Sequence, residues 1–287
     1  MILEELFTDV ATLREYVPFM DSNIAFSELG SSAKSAKKQI CVIITPEVYS
    51  AIIGKGNGGI FEELRTAVAN LTLAKQVVFD AINRRKQEID IYKHEQESMR
   101  RAYIENYYNS MDSLVQELEK SDIESWKETR YKKILESLRI KTAPEFDELY
   151  PIDGSYLFFF RIIPFQREAL EDYMNGYYSR VSDDDESKNC IYRKLDRCLA
   201  MYTVAKSLRQ FDIIEFPSTI RSLFDDSTAS RTGSDEQNRI LALSEQLKNE
   251  ADQLLRDIDT MLSNSEGGNV STEESYLLPS DKFYLMP

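Results

Sequence analysis

Apolar residues recur along this chain with the 3.6-residue period of the α-helix almost throughout. Leu64, Val68, Leu71 and Val78 share one helical face. Ile104, Tyr108, Met111, Val115 and Leu118 share another, and Leu243, Leu247, Leu254, Ile258 and Met261 a third. Thr8 followed by Asp9 marks a helix start ahead of "VATLREYV", because a short polar side chain there accepts from an otherwise orphaned N–H. Sustained period-2 alternation is rare. The run "FFFRII" at 158–163 is apolar enough for a strand, but its flanks favour a buried helix. The pattern therefore predicts an all-α fold.

The helical pattern occurs twice. "FSELGSSAKSAKKQICVIITPEVYSAIIG" begins at Phe26, and "FDELYPIDGSYLFFFRIIPFQREALEDYMNG" begins at Phe146. Each opens Phe-x-Glu-Leu, passes through Ile-Ile and reaches a proline, Pro46 or Pro164, where a turn is expected. Each then ends a short helix at glycine, Gly54 or Gly176. An Ala-rich helix follows in both, with Leu64/Leu195, Ala69/Ala200, Thr72/Thr203, Ala74/Ala205 and Lys75/Lys206 in register. A long amphipathic helix, about 88–119 or 235–263, closes each unit. This order predicts two tandem helical-bundle repeats, 1–122 and 146–263. A connecting helix over 123–145 carries Ile134, Leu135, Leu138 and the one tryptophan, Trp126. That helix either packs on both units or presents a docking surface.

Composition narrows the function. With 287 residues and 42% apolar content the chain has enough material for a core. No apolar run reaches the length needed to cross a bilayer, so no membrane partner is expected. "MILEELFTDV" lacks the basic start and cleavage pattern of a signal peptide. Cys41, Cys190 and Cys198 have no metal-like spacing and read as small core residues in a reducing cytoplasm. A net charge of −14 argues against attraction to DNA or anionic lipid, though not against a surface past which DNA slides.

Candidate chemistry is sparse. His94 is the only histidine and sits in a polar helical segment. "GKGNGG" at 54–59 lacks the Lys-Ser/Thr of a phosphate loop and reads as a helix cap and loop. "DDDES" at 183–187 lacks the glycine and terminal glutamate of a calcium loop and reads as a solvated acidic loop. No nucleophile is set beside a base, so no catalytic, cofactor or metal residues are assigned and no enzyme is expected.

The exception is the last stretch, 264–287. A Ser, Glu and Gly run, typical of a linker, gives way to Tyr276, Leu277, Leu278, Phe283, Tyr284, Leu285 and Met286. These are the candidate partner-binding residues. Pro279 and Pro287 disfavour a helix there. Burying six such side chains gains roughly 9–18 kcal/mol, and ordering the peptide costs roughly 12–24. Docking therefore needs backbone pairing too, most simply as a strand added to another chain's sheet edge. The other reading is that the peptide folds back on its own core.

At this point "LFTDVATLREYV", the following helix, "TPEVYSAIIG" and the Ala-rich helix resemble a known family. They look like the small all-helical head–tail connector (adaptor) proteins of tailed phages, in the duplicated form carried by phages and prophages of gut Bacteroidetes. The resemblance covers about 1–260, and the second unit keeps the layout with few identities. It implies a virion structural protein with no cofactor, assembled in the host cytoplasm and located at the head–tail junction. Such proteins form a ring, commonly of twelve copies, below the portal. The implied partners are the portal protein, neighbouring copies and the next connector or tail component, with DNA passing through the channel without specific binding. The alternative is a cytoplasmic helical scaffold that never enters a particle.

Overall fold

The computed structural model describes residues 2–17, 24–86, 93–181, 188–224 and 233–266, with backbone alone for 80–86, 93–95, 233–236 and 264–266. These residues form twelve α-helices, two 3₁₀ turns and no strand. The fold is all-helical, and the run at 158–163 is helix.

Asp9 caps the first helix, α1 (Val10–Arg14): its Oδ1 accepts from Thr12 N–H at 2.8 Å. Next come α2 (Phe26–Ile44), α3 (Pro46–Lys55), α4 (Gly59–Lys86) and α5 (Lys93–Glu119). Leu29, Ala33, Ala36, Ile40 and Ile44 form the buried stripe of α2. It lies against α4, which also packs on α5. The chain breaks between α2 and α3 at Thr45, which takes a positive φ of 70° ahead of Pro46. The helix stop falls two residues later than the expected Gly54. Gly54 is still inside α3, and Gly56 takes the left-handed conformation, φ 64°, donating its N–H to Ile52 O.

The region expected as one connecting helix is instead two short helices, α6 (Glu124–Lys127) and α7 (Arg130–Glu136). The chain turns between them at Thr129, whose backbone is extended and whose Oγ1 donates to Trp126 O at 2.8 Å. Helix α6 packs on α3 and α7 on the later helix α9. Trp126 is 1% exposed, so it is a packing residue and presents no docking surface.

Then follow α8 (Ala143–Leu149), α9 (Tyr156–Tyr173), α10 (Lys188–Leu208), α11 (Ser218–Ser222) and α12 (Gly233–Glu266). The turn expected at Pro164 is absent, because Pro164 lies inside a continuous α9. Phe158, Phe159, Phe160, Ile162 and Ile163 are all buried before it, and Ala169 after it. That burial on both sides holds the helix across a residue that cannot donate its own hydrogen bond. Gly176, with φ 83°, follows the helix end.

Helix α10 is the centre of this second group and touches α8, α9 and α12. Its Leu195, Ala200, Thr203 and Ala205 are buried, as are Leu64, Ala69, Thr72 and Ala74 of α4. The groups meet where α5 packs on α9. There Asp112 Oδ1 of α5 accepts from Ser155 Oγ at 2.6 Å and Leu157 N–H at 2.9 Å, capping α9 from outside. Of the three cysteines expected in the core, Cys198 is buried there, whereas Cys41 is half-buried and Cys190 is exposed.

Candidate functional site

The seven candidate residues from Tyr276 to Met286 lie outside the described residues, as does the acidic run 183–187. Among the described residues no group of three or more His, Cys, Asp or Glu is placed to hold a metal ion. No helix among them is long and apolar enough to cross a membrane.

What the fold builds is a cleft where the two helical groups meet. One lobe, about 550 Å³, is walled by α2, α4 and α5, with the 3₁₀ turn Ile213–Glu215 at its edge. A second lobe, about 450 Å³, continues between α2, α5, α7 and α9. Gln39, Tyr107, Tyr108 and Glu215 line both lobes, so the two form one groove.

Helix periodicity explains how α4 and α5 contribute. Leu64, Val68 and Leu71 stay inside, as expected, but Val78 is 48% exposed and its neighbour Phe79 is 50% exposed. The α4 stripe continues into the wall of the groove. On α5, Tyr107 is buried and Tyr108 half-buried, their ring centroids 5.0 Å apart. Burial pushes both phenol pKa values well above the usual range, so both stay neutral. On α2, Val42 is 71% exposed at the far lobe.

Charges sit at defined points along this apolar floor. Arg161 pairs with Glu215 and lies over the Phe211 ring at 4.3 Å. Lys75 and Arg100 stand together in the first lobe. Burial, and then the charge of Arg100, hold the Lys75 pKa below its usual value. Neither cation is paired with a carboxylate among the described residues. Two adjacent cations stand beside exposed Val78 and Phe79, while Asp212 and Glu215, the latter paired with Arg161, line the same lobe.

Such an arrangement suits binding of an apolar segment that carries acid. The groove has no single sequence signature, because six separate segments supply it. One local signal was present: Val78 and Phe79 are adjacent, and neighbouring helical positions lie too far round the helix to share one buried stripe. Comparison with protein-family models, curated proteins and solved structures found no match.

Proposed function

We propose that this chain is a head–tail connector of a tailed phage, a structural protein that assembles as a ring below the portal. The motifs at 6–17 and 45–54 and the Ala-rich helix support this reading through their resemblance to that family. The observation that carries it is the matched pair α4 and α10. Each is the central helix of its group, and four of the five pairs aligned from sequence, Leu64/Leu195, Ala69/Ala200, Thr72/Thr203 and Ala74/Ala205, are buried in both, while Lys75 and Lys206 are half-buried. We take this as a tandem duplication of one helical unit.

The electrostatics suit the role. A channel wall of negative charge repels the phosphate backbone, so DNA passes without sticking. Copies at −14 each must then meet through apolar or locally complementary surfaces. The groove around Val78, Phe79, Lys75 and Arg100 is such a surface. No reaction and no cofactor belong to this reading. The portal, neighbouring copies and the next tail component are its partners.

The same groove also favours a second reading, a helical scaffold that binds one partner and stays out of the particle. Quantitative mass spectrometry of gradient-purified particles separates the two. The connector reading expects this chain in the particle at the portal's copy number. Its absence from particles, with abundance in the lysate, would leave the scaffold.

A further inference from the structure

We propose that residues 276–287 of one copy dock in the α2–α4–α5 groove of a neighbouring copy. The proposal rests on the self-association contained in the reading above and does not depend on the portal.

Three observations carry it. The first is shape. The peptide has two apolar clusters, Tyr276–Leu278 and Phe283–Met286, and the groove has two lobes. Ser31 and Ile43 mark the ends of the groove on α2, twelve residues or about 18 Å apart. Leu278 and Phe283 reach at most about 17 Å apart. One cluster therefore enters each lobe, and the exposed Val78 and Phe79 are covered.

The second is charge. Between the two clusters Asp281 is followed by Lys282, so the net negative charge lies with Glu273 and Glu274 ahead of the first cluster. Lys75 and Arg100 are placed to receive them, and a carboxylate there relieves the repulsion between two neighbouring cations. The described residues offer no sheet edge, so the peptide backbone pairs instead with polar side chains such as Ser35 and Gln39 on the groove wall.

The third is reach, which selects the neighbour. Ser244 of α12 donates to Ala205 O and accepts from Arg209, close to the groove residue Asp212. From Ser244 the helix runs away from the groove, past Asp259 at Tyr177, to Glu266. Those twenty-two residues cover about 33 Å. The ten steps from Glu266 to Tyr276 span at most about 36 Å when fully extended and average about 17 Å as coil. Returning to its own groove would need a nearly straight path, whereas a neighbour's groove is free of that constraint.

The test is photocross-linking in the full chain. Phe79 is replaced by p-benzoylphenylalanine, and equal amounts of ¹⁴N- and ¹⁵N-labelled protein are mixed and irradiated without portal. The expected products join position 79 to peptides within 276–287, including mixed-isotope pairs. A Lys75→Glu/Arg100→Glu variant with an unchanged helical spectrum should lower their yield several-fold. Products that avoid 276–287, or same-isotope products only, would overturn the proposal. Because the portal is absent, failure here leaves the connector reading to the particle composition, and the reverse also holds.

Discussion

Trp126 lies flat on Phe160, with ring centroids 4.6 Å apart and planes 26° apart. Tyr131 meets the same Phe160 ring edge-on at 5.1 Å. Through these contacts the chain between the two helical groups is held on α9. Trp126 also donates its Nε1–H to Glu119 Oε1 at 3.2 Å, which ties it to the end of α5. Replacing Trp126 by Ala should cost about 3–5 kcal/mol, because a fully buried indole leaves a cavity that fixed helices cannot close. Urea unfolding followed by circular dichroism measures it. A loss below about 1 kcal/mol would show that the segment is not anchored there.

Gln166 closes the other side of the same region. Its Nε2 donates to Ile140 O at 3.1 Å and its Oε1 accepts from Ile140 N–H at 3.3 Å. Both side chains are buried, and Ile140 lies between helices, with no helical partner for its backbone. Gln166→Leu strands two backbone groups and should cost about 2–5 kcal/mol. The same unfolding assay checks it, and a neutral result would mean that water reaches Ile140.

Pro164 is an internal helix residue with no N–H to donate. Pro164→Ala should therefore stabilise the protein by roughly 1–3 kcal/mol. A rise in melting temperature checks it. A fall would mean that the ring's packing beside Phe165 outweighs the missing hydrogen bond.

The helical period made α2, α4, α5 and α10 legible. It misplaced the buried stripe of α12 because Leu254 and Leu255, and again Met261 and Leu262, are adjacent apolar residues between which the period alone does not choose. The stripe read as Leu243, Leu247, Leu254, Ile258 and Met261 is in fact Leu247, Ala251, Leu255, Ile258 and Leu262, and Met261 is 40% exposed. Ser244 and Ala251 face α10, where Cys198 Sγ lies 3.7 Å from Ala251 O. Their size allows close approach, and an apolarity pattern carries no sign of that. Pro46 and Pro164 looked alike in sequence, yet only Pro46 begins a new helix. Tertiary burial of the phenylalanine run decided the difference. The groove could not be read from any one segment, since α2, α4, α5, α7 and α9 all line it.

Asp153 gives a pH prediction. Burial acts on its carboxyl upward, but the Thr219 hydroxyl and N–H and then the Ser218 groups outweigh it, so its pKa lies below the usual carboxylate value. A depressed folded pKa contributes stability above the unfolded value of about 4 and loses it as pH falls through the folded value. Asp153→Asn should thus be less stable than wild type at pH 6, with the gap closing below about pH 4. Thermal melts across that range check it. A gap that persists at pH 2 would assign the effect to shape alone.

Ring assembly on a portal, proposed above, is tested by mass photometry of the full chain and of a chain lacking residues 264–287, each mixed with a portal protein encoded in the same genome. The expected result is one discrete added mass on the portal, equal to a closed ring of this chain, and its loss or marked weakening on truncation while the truncated chain remains folded. A full-length chain that adds no mass to the portal at micromolar concentration would contradict it.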